Sequence, residues 1–390
     1  MTTEPAPATP SLLRTLNDRA ALDLLLLRGP LSRTQLGALT GLSKPTCGQL
    51  LTRLSQAGLV RSVGHSTGSP GPAAELFEVD PTAGRAGALD VRPGRVTAAV
   101  VDLHGNELGR AVVKVTRRGP DAVGSVTRAL DSAAAAAGTT RADLDAVVAG
   151  TPGSFDPETG ELRYAKHLLG WHEPGLVDRL RSAVGVPFAL ENDVNLVALA
   201  ERRAGAGRDV EDFFLLWNDD GFGAAVVLGG RLHQGASGGA GEVSFLPVPG
   251  APLVRHVTRS NTGGFVKLAG SPAVLELAEE HGIPGRTAPA VVARAAAEPA
   301  AAEFLDELAE RLATGLAAVI AVLDPQAVVL SGSILAAGGE PLRTSVERKL
   351  GDLAMTVPLV RTGLVVEDPV LTGAQHAALD AARDAVFASR

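Results

Sequence analysis

Apolar residues recur at helical spacing from the start of the chain. Leu13, Leu16, Ala20, Leu24 and Leu27 fall three or four positions apart and predict an amphipathic helix that stops at Gly29-Pro30. A second helix is expected from Ser32, a good N-cap, with Leu36, Ala38 and Leu39 on its buried side and Gly41 as its breaker. Ser43 caps a third, in which Pro45 falls in the first turn, where its missing N–H costs nothing. Cys47, Leu50, Leu51 and Leu54 share one face of that helix, whereas Lys44, Thr46, Gln49 and Arg53 point the other way. An extended stretch after 57–60, a Gly/Ser/Pro turn at 64–72 and Ala-Glu-Leu-Phe-Glu-Val at 74–79 then read as strand, turn and strand.

Beyond Pro81 the period changes. Residues 87–91, 95–101 and 107–115 alternate or run apolar, separated by Pro93-Gly94 and Gly105-Asn106, which predicts a three-stranded meander. A helix over 121–137 and a buried strand over 145–149 follow. Strands at 212–217, 222–229 and 326–331 then alternate with helices near 193–206, 272–281 and 301–322. That alternation predicts an α/β body in two lobes.

With 390 residues, two or more folded units are needed; we place a disordered leader at 1–10, a first unit at 11–82 and the body at 86–390. At 45% hydrophobic and 20% charged residues the chain has the composition of a globular protein, with no run long enough for a membrane span and no signal-peptide pattern at its start, so we expect it in the cytoplasm. A single cysteine, Cys47, excludes a disulfide framework and any multi-cysteine zinc site. Charge is unevenly spread: residues 11–70 carry seven Lys/Arg against Asp18 and Asp23, while the whole chain is formally −7. A basic segment on an acidic body suits DNA, because phosphate contacts supply most non-specific affinity. A solvated basic face is the alternative that charge alone leaves open. Any small three-helix unit shows this helix pattern, and it is the wing together with the local charge that favours DNA: in a helix-turn-helix the second helix enters the major groove, where Gln reads adenine and Lys or Arg reads guanine or holds phosphate. The candidate DNA-binding residues are Ser32, Thr34, Ser43, Lys44, Thr46, Gln49 and Arg53.

Three motifs in the body, Arg163-Tyr-Ala-Lys-His-Leu-Leu-Gly-Trp171, Glu191-Asn192-Asp193-Val194-Asn195 and Gly235-Ala-Ser-Gly-Gly-Ala-Gly-Glu242, resemble successive signatures of the ROK family of repressors and sugar kinases. The resemblance implies a two-lobed, actin-like sugar-kinase fold behind a winged helix-turn-helix. It makes Asp193 the vestige of the general base that removes a proton from the sugar hydroxyl, and Gly153, His167, Asn192, Asp193 and Glu242 the candidate sugar ligands. The same residues would equally serve as inherited scaffold, satisfied by backbone at loop ends.

The kinase pattern breaks at the phosphate loops. The family's Asp-x-Gly-Gly-Thr-Lys is here Asp90-Val91-Arg92-Pro93-Gly94-Arg95, where Pro93 lacks an N–H and Arg92 adds bulk. The second loop, Gly-Thr-Gly in the family, is Asp219-Asp220-Gly221. A like-charge pair about 5 Å apart costs on the order of 3 kcal/mol at an effective dielectric near 20. The family's zinc loop is replaced by Phe245 and Val257 to Gly264, and His256 alone cannot rebuild it. A sugar-contacting Glu aligns with Val266, and an Asn with His167. We therefore expect no enzyme activity, no cofactor and no metal. The expected function is a transcription regulator, a repressor, that binds a double-stranded operator and senses a sugar or derivative as a homodimer or dimer of dimers. An active ATP-dependent sugar kinase and a regulator blind to sugars are the alternatives.

Overall fold

The computed structural model describes residues 10–66, 73–115, 121–155, 162–163, 168, 170–171, 173–219, 221–254 and 263–389. His167, Asp220, residues 1–9 of the leader and most of the replaced zinc loop lie outside the described residues, while Pro10, placed in the leader, opens the first helix.

The first unit comprises α1 (Pro10–Arg28), β1 (Leu31–Ser32), α2 (Arg33–Thr40), α3 (Lys44–Gln56), β2 (Val60–His65) and β3 (Glu75–Val79), with the three strands in the order β1-β3-β2. The predicted caps are present: Ser32 Oγ accepts from the Gln35 N–H while Gln35 Oε1 accepts from the Ser32 N–H, and Ser43 Oγ accepts from the Thr46 N–H. Cys47, Leu50, Leu51 and Leu54 are buried as expected. Two inward faces differ from the expectation. On α1 the core side is Ala21, Leu22 and Leu25, while Leu13, Leu16 and Leu27 are exposed. The run Leu24–Leu27 satisfies either register, so periodicity alone could not choose. On α2 only Leu36 is buried; Ala38 and Leu39 face out because eight residues make little more than two turns, and one anchoring side chain suffices.

The body begins with the meander β4 (Arg85–Arg92), β5 (Arg95–Asp102) and β6 (Glu107–Lys114), then α4 (Ala122–Ala136), β7 (Ala146–Thr151), a short hairpin β8 (Ser154–Phe155) and β9 (Leu162–Arg163), α5 (Leu176–Val184) and β10 (Phe188–Asn192). Sheet order is β10-β7-β4-β5-β6, with β10, β7 and β4 parallel. Helix α6 (Asp193–Ala204) leads to the second lobe: β11 (Phe213–Asn218), β12 (Phe222–Leu228), β13 (Arg231–Leu232), α7 (Phe265–Ala269), α8 (Ser271–Glu280), α9 (Ala288–Ala297), α10 (Ala302–Leu323), β14 (Ala327–Ser331), α11 (Ser333–Leu353) and β15 (Leu359–Thr362), in the order β13-β12-β11-β14-β15. The chain closes with α12 (Pro369–Ser389).

Strand alternation divides the core. Phe213, Leu215 and Trp217 belong to a central cluster with α6 and α12, whereas Phe214 and Leu216 face α7–α11. Likewise Ala146 and Val148 look toward the centre, and Val147 and Ala149 toward α4 and α5. Helices α6 and α12 pack so closely that a Cβ on Gly373 would overlap the Leu196 carbonyl. The central cluster continues without a break into Leu22, Leu25 and Val79 of the first unit. There the far end of α12 meets α1: Arg19 Nη1 reaches Asp384 at 2.5 Å, and its guanidinium lies 5.4 Å from the centre of the Phe387 ring.

Glu201, fully buried near the end of α6, ties the lobes together. Its carboxylate accepts from the Ala206 N–H at 2.7 Å, Leu364 N–H at 3.1 Å and Val365 N–H at 2.9 Å. Removing it leaves three N–H groups without an acceptor, each costing about 1–3 kcal/mol. Glu201→Ala should therefore lower stability by about 3 kcal/mol or more; equilibrium urea unfolding will show a shifted midpoint at unchanged slope, and an unshifted midpoint would refute this role.

Candidate functional sites: an exposed helix face and an acidic cleft

On α3 the residues predicted to meet DNA are brought to one surface. Ser43, Lys44, Thr46 and Gln49 lie on its solvent side, with Ser43 Oγ and Thr46 Oγ1 2.8 Å apart at the helix N-terminus, and Thr34 is exposed on the first turn of α2. Two candidates are otherwise engaged. Ser32 is buried, and its hydroxyl oxygen is the cap acceptor of α2. Arg53 does not project freely; its Nε donates to Asp18 at 3.0 Å and its Nη2 also pairs with that carboxylate, joining α3 to α1. Helical spacing gave its outward direction but not its partner, since Asp18 lies 35 residues earlier in the chain.

A residue missing from the candidates is Arg33. Together with Lys44, Gln49 and Thr52 it lines a shallow groove of about 370 Å³ along α3. Its guanidinium lies over Gly48, where a Cβ would stand 3.5 Å from Nη1, and no acid pairs with it among the described residues. The available signal was a basic residue just after the cap of α2. Cys47 fixes the two helices by donating from Sγ to the Arg33 carbonyl at 3.4 Å, and burial pushes its thiol pKa up.

The second site lies where β10 passes into α6. Asn192 is the N-cap of α6: its Oδ1 accepts from the Asn195 N–H at 3.0 Å, and its Nδ2 donates to the Gly153 carbonyl at 2.9 Å. Two predicted ligands thus meet, but largely to satisfy each other. Asp193 and Glu242 are the more available pair. Asp193 accepts from the Val194 N–H at 2.9 Å, and burial pushes its pKa up to about 6. Glu242 rises to about 7, by burial first and then by the charge of Asp193, which places the two carboxyl groups within each other's field. Glu191 was not among the candidates. It accepts from the Asn192 N–H and Asn195 Nδ2, both at 2.8 Å, and from Gln234 Nε2 of the second lobe at 2.5 Å, while burial pushes its pKa up.

Beside this cluster, the altered phosphate loop is a tight hairpin: Arg92 pairs with Arg95 across Pro93-Gly94. The Arg92 side chain folds back so that Nε meets the buried Asp90 carboxylate at 2.8 Å. Burial opposes its charge, but Asp90, then Asp219 and Asp193, hold it protonated. Asp219 in turn accepts from Ser333 Oγ at 2.5 Å. The space between, about 220 Å³, is lined by Arg92, Trp217, Asp219, Ser333 and Asp368. Three acids, Asp90, Asp219 and Asp193, thus act on Arg92, and Pro93 offers no N–H to this space. No group of three or more His, Cys, Asp or Glu able to hold a metal occurs among the described residues.

The raised carboxyl pKa values have a sign. Between about pH 4 and 7 the folded chain holds protons on Asp193 and Glu242 that the unfolded chain has released, so these groups make stability fall as pH rises through that window. Asp193→Asn and Glu242→Gln should each flatten the decline, as read by urea midpoints at several pH values; an unchanged profile in both would contradict the geometry.

A family model described as the ROK family matches residues 86–375. The chain is 25% identical over 378 residues, 90% of each chain, to the DNA-binding transcriptional dual regulator NagC of Escherichia coli. It is 28% identical over 236 residues, 56% of this chain and 70% of the relative, to a glucokinase of Halalkalibacterium halodurans. Among solved structures, a ROK family transcriptional regulator described as a homologue of E. coli MLC superposes with a TM-score of 0.76 at 19% identity, over 97% of this chain and 98% of that one, a likeness of fold. With the three body motifs and the two-lobed actin-like architecture in place, the chain belongs to the ROK family.

Proposed function

We propose that this chain is a DNA-binding transcription regulator, a repressor, in which residues 11–82 form a winged helix-turn-helix and residues 86–390 a ROK body that senses a sugar or sugar derivative. The observation that carries the reading is the polar face of α3: Lys44, Thr46 and Gln49 stand on the solvent side of a helix capped by Ser43, beside Arg33, which no acid among the described residues holds. These side chains suit base edges and phosphates, and the β2–β3 hairpin supplies the wing. The match to NagC supports it, since 90% of each chain is covered and the alignment therefore extends beyond the body. In the cleft, Asp193, Glu242 and Glu191 offer acceptors to sugar hydroxyls, while the Arg92–Asp90 pair and Asp219 disfavour a polyphosphate. On this reading kinase chemistry has been lost and no cofactor is required. A two-fold operator would be met by a homodimer or a dimer of dimers.

One observation favours a second reading, an ATP-dependent sugar kinase. Asp193, with a pKa near 6 and Glu242 beside it, retains the properties of a general base, and glucokinases are among the relatives. Incubation with Mg-ATP and a panel of hexoses separates the two: the regulator releases no sugar-dependent ADP, whereas steady release would establish the kinase.

Fluorescence anisotropy on duplexes from the gene's own upstream region, at fixed salt, tests DNA reading directly. The wild type should prefer one duplex over random sequence. Lys44→Ala should weaken binding to specific and random duplexes alike and lower the salt slope by about 1, while Gln49→Ala should cost about 1–3 kcal/mol on the specific duplex only. Arg53→Ala should leave the salt slope unchanged, because its guanidinium serves Asp18. Equal affinity of the wild type for every duplex would sink the assignment of this region as operator, and unchanged binding in both Lys44→Ala and Gln49→Ala would refute the role of α3.

A further inference from the structure

Away from the cleft, the last turn of α6, the loop before β11, the Gly229–Gly230 turn and the middle of α12 enclose a half-open hollow of about 700 Å³. That size suits a small molecule. Its wall carries three arginines, Arg202, Arg203 and Arg208. Arg203 is paired with Asp380 at 2.9 Å, and Asp209, the acid next to Arg208, is taken by Arg361 at 2.5 Å. Arg202 and Arg208 are left exposed, with no ion pair to an acid among the described residues, although the charge of Arg208 is felt by Asp209, against one unengaged carboxylate, that of Glu211. The Arg202 guanidinium rests on bare backbone at Gly230, where a Cβ would stand 2.9 Å from Nη2. His376 on α12 adds no charge: burial, followed by Arg203 and Arg383, holds its pKa down to about 4, and its buried Nδ1 has no hydrogen-bond partner among the described residues. The groups around it thus make the hollow a region of positive potential.

We propose that this hollow is a second ligand site, for a small phosphorylated metabolite whose phosphoryl oxygens are gripped by Arg202 and Arg208. Guanidinium forks match phosphate geometry, and Arg202 and Arg208 exceed the one unengaged carboxylate on the wall, Glu211, by a charge that an anion would neutralise. The volume leaves room for the rest of a small organic ester. The site is separate from the sugar cleft, since Arg202 lies nine residues along α6 from Asp193, about 14 Å of helix. It also touches the part of α12 that carries the first unit: Asp380 is one turn from Asp384, the partner of Arg19. A phosphoryl group competing with Asp380 for Arg203 would act on that end of the helix.

Calorimetric titration of the full chain at low salt with inorganic phosphate and with glycerol 3-phosphate tests the site without reference to DNA or sugar. We expect saturable binding of the ester, at least about tenfold tighter than of the bare ion, and a loss of about tenfold or more in the Arg202→Gln/Arg208→Gln variant, with Asp193→Asn binding as the wild type does. Among the described residues neither arginine has an ion pair to lose, so the double variant should melt with the wild type. Failure of both probes to saturate, or undiminished binding in the double variant, would overturn the site. Equal affinity for ion and ester would overturn the metabolite as its ligand, and weakened binding in Asp193→Asn would place the anion in the cleft instead.

Discussion

The burial of α12 between the two lobes and against the first unit is the constraint on which the rest of the molecule depends. Its start adjoins the cleft, where Asp368 and Pro369 line the space beside Arg92. Its middle is pressed against α6 so tightly that only glycine serves at 373. Its end carries Asp384 and Phe387, the groups that hold Arg19 of α1. One helix therefore contacts the space beside the altered phosphate loop, the central core and the three-helix unit. A rigid element shared by two sites is the physical requirement for one to bias the other, provided the lobes have two arrangements.

The cleft owes its character to where charge is placed. Four carboxyl groups, Asp90, Asp193, Glu191 and Glu242, are partly or fully withdrawn from water there, and burial raises the pKa of each. Arg92 neutralises the nearest of them from within the chain. The same groups remain suited to sugar hydroxyls, which need acceptors and donors but no net charge.

Much of this was legible in the sequence because it depends on neighbours along the chain. Ser43 and Pro45 announce the start of α3, the run from Cys47 to Leu54 announces its buried face, and Pro93-Gly94 announces the first hairpin of the body. The body's strands fall where apolar residues cluster between turns. What escaped was set by distant partners. The face of α1 was chosen by α2 and β3, not by its own spacing; Arg53 was claimed by Asp18; Ser32 was taken up by its own cap; and Glu191 gained its place through Gln234 across the cleft. The later helices α9, α11 and α12 went unpredicted because Ala-rich runs such as Ala288–Ala297 give weak periodicity, and α11 is kinked at Gly339, with Pro341 just after the kink. The motif resemblance pointed to Asn192 as a ligand, while the structure uses it mainly as a helix cap.

The central claim is that this ROK chain reads DNA sequence. Selection of duplexes from a random-sequence library by the full chain, followed by sequencing of the bound fraction, addresses it without presupposing an operator. We expect enrichment of one recurring motif, repeated in two halves, and loss of that enrichment when Lys44 and Gln49 are both replaced by Ala. A bound fraction no different from the input library, from a chain that is folded, would contradict it.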